Sequence, residues 1–335
     1  MSQSTFDPRR RHFLMAGAAA ATAAMLPVKR AYAQKDAWPA KPIKLVVGFA
    51  PGGITDGLPR LYAPVLSEKL GVPVVIENRS GAAGSIATTA VVQSPPDGYT
   101  LLASGVGQLV VLPHTSNMAI NPMTDLVHIS MLADGDQILN ISAEVPAKNY
   151  AEFIALAKAK PGALYYGDAG PGGNQHLYLE YFKMLAGVDL TGVHYRGGGP
   201  LMPDLLANRV QLSLNAPSVV LPYIEKGQLR PLAIVAAKRN PKLPNVPTVA
   251  EVGLKPMEAC SNWLGLHAPK GTPDAIVQKL HKAMVETMQS DTVKKGMETL
   301  NVYPVVSTPA EFSARIARDS ALFAKVAKDA NVRAE

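Results

Sequence analysis

Ala50-Pro51-Gly52-Gly53-Ile54-Thr55-Asp56 separates an apolar run, Ile43 to Phe49, from a segment in which Leu58, Leu61, Tyr62, Val65, Leu66 and Leu70 recur at helical spacing. A glycine-rich turn opening a helix leaves amides that no intrahelical carbonyl accepts, and the aligned peptide dipoles favour an anion there. Phe49, Ala50, Gly53, Ile54 and Thr55 are therefore candidate contacts to a negatively charged group. Asp56 suits an anion poorly and reads as a first-turn cap or a holder of water. An ordinary strand-to-helix turn would also use two adjacent glycines.

His194-Tyr195-Arg196-Gly197-Gly198-Gly199-Pro200 repeats the arrangement with three consecutive glycines, ahead of a helix that includes Leu205 and Leu206. It lacks the terminal Lys-Ser/Thr of a nucleotide-binding loop, and no G-x-G-x-x-G follows any strand, so a carboxylate is the anion left over. Tyr195, Arg196, Gly197 and Gly198 join the candidates, with Arg196 equally readable as a solvent-facing guanidinium.

A third loop, Gly167 to His176, also follows a strand and ends in polar side chains suited to the distal end of a ligand. Asp168, Gly170, Asn174 and His176 are its candidates, although His176 could simply cap the next helix. Ser104, Gly105 and Asn215 fall near the C-terminal ends of strands, the edge at which open α/β sheets bind ligands.

Catalytic signatures do not appear. Ser104 sits in Ala-Ser-Gly rather than G-x-S-x-G, and the chain has no H-E-x-x-H, C-x-x-C or histidine cluster. Cys260 is the only cysteine and has no adjacent histidine, so neither an intrachain disulfide nor an activated thiol is expected. No cofactor and no metal are expected. An ester hydrolase using Ser104 is the alternative from the enzyme class.

The elements that must position these loops alternate. After Ile43 to Phe49 come a strand at 74–77, a helix over 82–92 and a strand at 101–103. A second series starts near Tyr150: a helix ending at Pro161-Gly162, then strands at 164–166, 192–195, 211–214 and 232–235 with helices between. Two long helices follow, over 275–289 and from a capping signal at Thr308-Pro309-Ala310-Glu311 onward. Strands alternating with helices indicate α/β architecture with parallel sheets, and 335 residues suit two domains with a cleft between them.

Arg10-Arg11-His12-Phe13-Leu14-Met15, followed by an Ala-rich stretch and Ala31-Tyr32-Ala33, reads as a twin-arginine export leader over residues 1–33, cleaved after Ala33. The leader carries Arg9, Arg10, Arg11, Lys29 and Arg30 against Asp7, so more than half of the chain's +7 leaves with it. No basic run with interleaved aromatics remains, which excludes nucleic acid as a partner. No later stretch approaches the roughly 20 apolar residues of a membrane-spanning helix.

Several motifs occur in order: Trp38-Pro39-Ala40-Lys41-Pro42-Ile43, Gly52-Gly53-x-x-Asp56, Glu77-Asn78-Arg79-Ser80-Gly81-Ala82 and Pro96-Asp97-Gly98-Tyr99-Thr100-Leu101-Leu102. They continue through Tyr195-Arg196-Gly197-Gly198-Gly199-Pro200 and Leu243-Pro244-Asn245-Val246-Pro247-Thr248. In this the chain resembles the Bug family, the periplasmic solute receptors of tripartite tricarboxylate transporters.

The resemblance implies a periplasmic binding protein of type II-like fold, a Venus flytrap of two α/β domains joined by two crossover segments. Domain 1 would comprise 34–135 and 257–335, and domain 2 would comprise 136–256, with hinges near Leu132 to Gln137 and Lys255 to Ala259. It further implies a carboxylate held by backbone groups and water between Phe49 to Asp56 and Tyr195 to Gly198. The implied partners are a small-molecule carboxylate (a dicarboxylate, an aromatic acid or an acidic amino acid) and the membrane subunits of a transporter. The receptor itself would be a monomer in the periplasm, reached by the twin-arginine or Sec route. A sensory receptor docking on a membrane kinase would share the fold. Ala50-Pro51 before the paired glycines and Gly105-Val106-Gly107-Gln108 depart from the family pattern, and both bear on which carboxylate is bound.

Overall fold

A computed structural model describes residues 38–334; the leader expected over 1–33 lies outside the described residues. In chain order the strands are β1 (Ile43–Val47), β2 (Val74–Asn78), β3 (Thr100–Gly105), β4 (Leu126–Asp134), β5 (Gln137–Ser142), β6 (Tyr165–Asp168), β7 (Thr191–His194), β8 (Leu212–Asn215), β9 (Leu229–Val235), β10 (Leu264–Pro269) and β11 (Tyr303–Pro304). They form two sheets, ordered β11-β4-β10-β3-β1-β2 and β7-β6-β8-β5-β9.

Both sheets are mixed, where alternation alone predicts parallel ones. β1 pairs in parallel with β2 and β3, and β6 with β7 and β8, but β10 is antiparallel to β3 and β4, and β5 to β8 and β9. The reason is the route of the chain. It leaves the first sheet at Asp134, spends two residues, and enters the second at Gln137; it returns through Lys255–Cys260, a 3₁₀ turn, into β10 at Leu264. A strand entering a sheet at the edge where its neighbours end must run against them.

β1 and β3 are buried on both faces, as continuous apolar runs covered by helices require. The Ile54–Leu70 helix buries Leu58, Tyr62, Leu66 and Leu70, the residues whose spacing predicts it, and stops at Gly71 in the left-handed conformation. The Pro309–Asp329 helix opens with the expected capping box between Thr308 and Glu311 and buries Phe312, Ile316 and Phe323. No helix among the described residues is long and apolar enough to cross a membrane.

Candidate functional site

Where the strands of the two sheets end, a cavity of about 590 Å³ opens, within the usual range of small-molecule sites. From the first sheet it is lined by Phe49 after β1, by Ala82, Ala83 and Ser85 after β2, and by Gly107 and Gln108 after β3. From the second it is lined by Ala169 to Gln175 after β6. Two helix N-termini therefore face it, those of Ser85–Val92 and Asn174–Ala186. Their N-caps are Gly84 and Gly173, neither with a side-chain cap. The helices at Tyr150, Asp291 and Pro309, away from this cavity, are capped by Asn149, Ser290 and Thr308. No charged side chain lines the cavity among the described residues. The positive ends of two helix dipoles are the electrostatic feature presented to a ligand.

The amides of the β6 loop are mostly engaged within the protein. Ala169 donates to Gln175 Oε1 (3.0 Å), Gly170 to Asp168 Oδ1 (2.8 Å), Gly172 to His176 Nδ1 (3.0 Å) and Gly173 to the Gly170 carbonyl (3.3 Å). The loop is a hydrogen-bonded frame, and the amides at Asn174 and Gln175, in the first turn of the helix, are ones for which the helix itself supplies no acceptor. Asp168 Oδ2 lies 2.7 Å from His194 Nδ1, and the His176 and His194 rings are 4.2 Å apart. Burial holds the Asp168 carboxyl above its ordinary pKa, while burial and the neighbouring His194 bring His176 down to about 4. Asp168, His176 and His194 are close enough to ligate one metal ion together. Their hydrogen bonds, however, commit both Asp168 oxygens and His176 Nδ1 to protein donors, which makes the trio a brace beneath the loop.

Of the residues expected from sequence, Phe49, Gly170 and Asn174 meet at this cavity, with Asp168 and His176 directly behind it. Asn174 reaches across to Gly107, where a Cβ would lie 3.6 Å from its Cγ. Tyr195 and Gly197 donate their amides to the Asp168 and Ala169 carbonyls, so the triple-glycine turn buttresses the lining loop. Arg196 and Gly198 are exposed, Gly198 opening the Gly198–Leu206 helix, and neither is among the lining residues. Ala50 is exposed beside Phe49, and Gly53, Ile54 and Thr55 begin a helix that also lacks a side-chain cap. Asp56 is 2 % exposed and accepts from the Gly52 amide (3.1 Å), Arg60 (2.8 Å) and Asn78 (2.7 Å), which pins the turn to β2. The Arg60 hydrogen bond holds its pKa below the ordinary carboxylate value. Asn215 is buried against Ser213 Oγ at 2.9 Å, and Gly105 lies under Leu264 and the Trp263 carbonyl.

Ser104 takes part in a different arrangement. Its hydroxyl lies 2.9 Å from His267 Nε2, His267 Nδ1 lies 2.9 Å from His128 Nδ1, and His128 Nε2 lies 3.2 Å from the Met123 carbonyl. Because Met123 O can only accept, the protons run in one direction, from Ser104 through His267 and His128 to that carbonyl. All three side chains are at most 6 % exposed, and the void beside Ser104 measures about 10 Å³, no more than one water requires.

Ala82, Ala83, Ser85 and Ala334, which also line the cavity, were not among the candidates, and Gly107 and Gln108 entered only as part of the Gly105-Val106-Gly107-Gln108 departure from the family pattern. The signal for the first three was present: Gly81 and Gly84 adopt φ of 133° and 92° between a strand and a helix, the same pattern as the turns selected. Gln108 carried no local signal beyond that departure. Its carboxamide is buried and donates to the Gly84 carbonyl (2.9 Å) and Thr88 Oγ1 (2.6 Å), tying β3's exit to the Gly84 turn.

A second hollow of about 950 Å³ lies beside the crossing segments, lined by Asp134 to Asp136, Lys238, Arg239, Arg315 and Arg318. Though larger, it lies toward the β4 and β9 ends of the sheets, away from the β1, β2 and β6 exits.

Comparison with known proteins agrees with this architecture. Residues 58–331 match the model of the tripartite tricarboxylate transporter family receptor. Protein BugT of Bordetella pertussis is 35% identical over 300 residues, covering 89% of this chain and 92% of its own. The solved structure of R. palustris Rpa4515 with adipate superposes with a TM-score of 0.76 at 34% identity, covering 88% of this chain and 99% of that one. MatC of Rhodopseudomonas palustris with bound malate gives 0.71 at 29% identity, covering 86% and 99%.

Proposed function

Because the chain belongs to the tripartite tricarboxylate transporter receptor family, we propose that it captures a small organic carboxylate between its two α/β halves and delivers it to the membrane subunits of such a transporter. The observation that carries this reading is the cavity of about 590 Å³ faced by two helix N-termini without side-chain caps and lined, among the described residues, by no charged side chain. Relatives of similar fold hold adipate and malate, both carboxylates. Binding at micromolar strength corresponds to about 8 kcal/mol, and charge-assisted hydrogen bonds supply about 1.5 to 3 kcal/mol each, so four to six amide and water contacts suffice.

The same reading divides the chain into domain 1, residues 34–135 and 257–335, and domain 2, residues 136–256, with the ligand drawing them together as a monomeric flytrap in the periplasm. The Ser104–His267–His128 chain, the arrangement an ester hydrolase using Ser104 would need, has no space beside it that a substrate could enter, which supports capture over turnover at that serine.

A thermal-shift panel of mono-, di- and tricarboxylates, aromatic acids and acidic amino acids tests the proposal. At a hundredfold excess over Kd a true ligand adds about 2.7 kcal/mol of stability, a shift of several degrees. No stabilisation by any member would refute it.

A further inference from the structure

Residues 330–334, which follow the last helix, run alongside the ligand cavity. The helix stops at Asp329, Asn331 turns with φ 51°, and Val332, 2 % exposed, anchors in the core with its amide on the Ala327 carbonyl at 2.9 Å. Two residues further on, the Ala334 amide donates to the Thr115 carbonyl at 2.8 Å, and Ala334 itself lines the cavity. Thr115 is buried and its hydroxyl donates in turn to the Gly172 carbonyl at 2.8 Å. Thr115 follows β3 of the first sheet, whereas Gly172 belongs to the loop after β6 of the second. Ala334, Thr115 and Gly172 thus form a three-way junction on one side of the cavity.

Position 172 is shaped for this contact. Its φ of +68° favours glycine, and a Cβ there would fall 2.5 Å from Ala334 Cα and 2.6 Å from its nitrogen, backbone atoms that cannot give way by rotating a side chain. The Gly172 amide is simultaneously held by His176, so the loop cannot yield without losing that hydrogen bond.

We propose that residues 333–334 are a specificity-determining wall of the cavity: packed on Gly172, they fix the β6 loop and limit how long a ligand the cavity accepts. This rests on the carboxylate reading above. Removing the wall should free space toward Thr115 and Ser116, which line the same side or lie directly behind it.

The test compares the full chain, a chain ended after Val332, and Gly172→Ala, using two readouts. Without ligand, amide hydrogen exchange over 169–176 should rise at least tenfold in both variants. With straight-chain dicarboxylates from four to ten carbons, calorimetry should show the preferred length moving upward by two or more carbons in both, with affinity for the longer acids gaining tenfold relative to the shorter. Unchanged exchange, or an unchanged ranking of the acids, overturns the wall. A dicarboxylate series that binds none of the three proteins, or an unshifted ranking, removes the wall alone, whereas the carboxylate reading falls only if the whole panel of acids above is also silent.

Discussion

Arg315 Nε donates to the Asp319 carboxylate at 2.5 Å, one helical turn away, and the guanidinium they share reaches both segments that cross between the sheets. It donates to Ser261 Oγ at 3.0 Å on the returning segment and lies 3.7 Å from the Asp134 carboxylate at the start of the outgoing one. Asp319 is fully buried and also accepts from the Trp263 indole at 3.0 Å. The last helix therefore clasps both crossing segments through one ion pair.

Asp319→Ala leaves the indole N–H and the guanidinium without their acceptor in a buried site. Removing one partner of such a pair costs about 3 to 5 kcal/mol. Urea denaturation should show that loss; a change below about 1 kcal/mol would mean that the clasp contributes nothing.

Acid should destabilise the fold through its buried histidines. Burial lowers the pKa of His267 and His128, and lowers His176 to about 4. In the unfolded chain these groups take up protons near pH 6.5 while the folded chain does not, so stability falls as pH drops below about 6.5 and continues to fall toward the folded values. Asp168 and Asp136, whose burial raises their carboxyl pKa, act with the opposite sign, gaining protons on folding only nearer the carboxylate range. Urea midpoints at pH 7.5 and 5.5 separate the two windows. The midpoint should be lower at 5.5, and His176→Gln should reduce the difference; equal midpoints in the wild-type chain would contradict this account.

Phe49 is 36 % exposed and lines the cavity, so its ring contributes to the ligand face and little to the core. Phe49→Ala should weaken carboxylate binding about tenfold, the size of one lost apolar contact, while shifting the urea midpoint by less than 1 kcal/mol equivalent. Intact affinity in calorimetry would place the ligand elsewhere.

Helices with one apolar face were legible in the sequence because their periodicity is long enough to count: Leu58 to Leu70, and Phe312 to Phe323 with its capping box. β4 and β5 were not. Residues 126–142 contain two largely buried strands belonging to different sheets, separated only by Gly135-Asp136, and because buried polar residues such as His128, Ser130 and Asn140 interrupt their apolar residues they show neither a continuous apolar run, nor regular alternation, nor a conventional turn. At the candidate site, glycine-rich turns marked strand-to-helix exits. Which of them would face the cavity depends on how two sheets meet. The turn at Gly197 became a buttress through its hydrogen bond to Ala169, while the less conspicuous turn at Gly84 became part of the lining.

The most direct measurement is a crystal structure of the chain with a carboxylate identified by the thermal-shift panel. The account predicts carboxylate oxygens within 3.2 Å, directly or through one water, of the first-turn amides at Asn174 and Gln175, with Phe49 against the ligand body. A carboxylate bound instead at Arg315 and Lys238 in the hollow beside the crossing segments would contradict it.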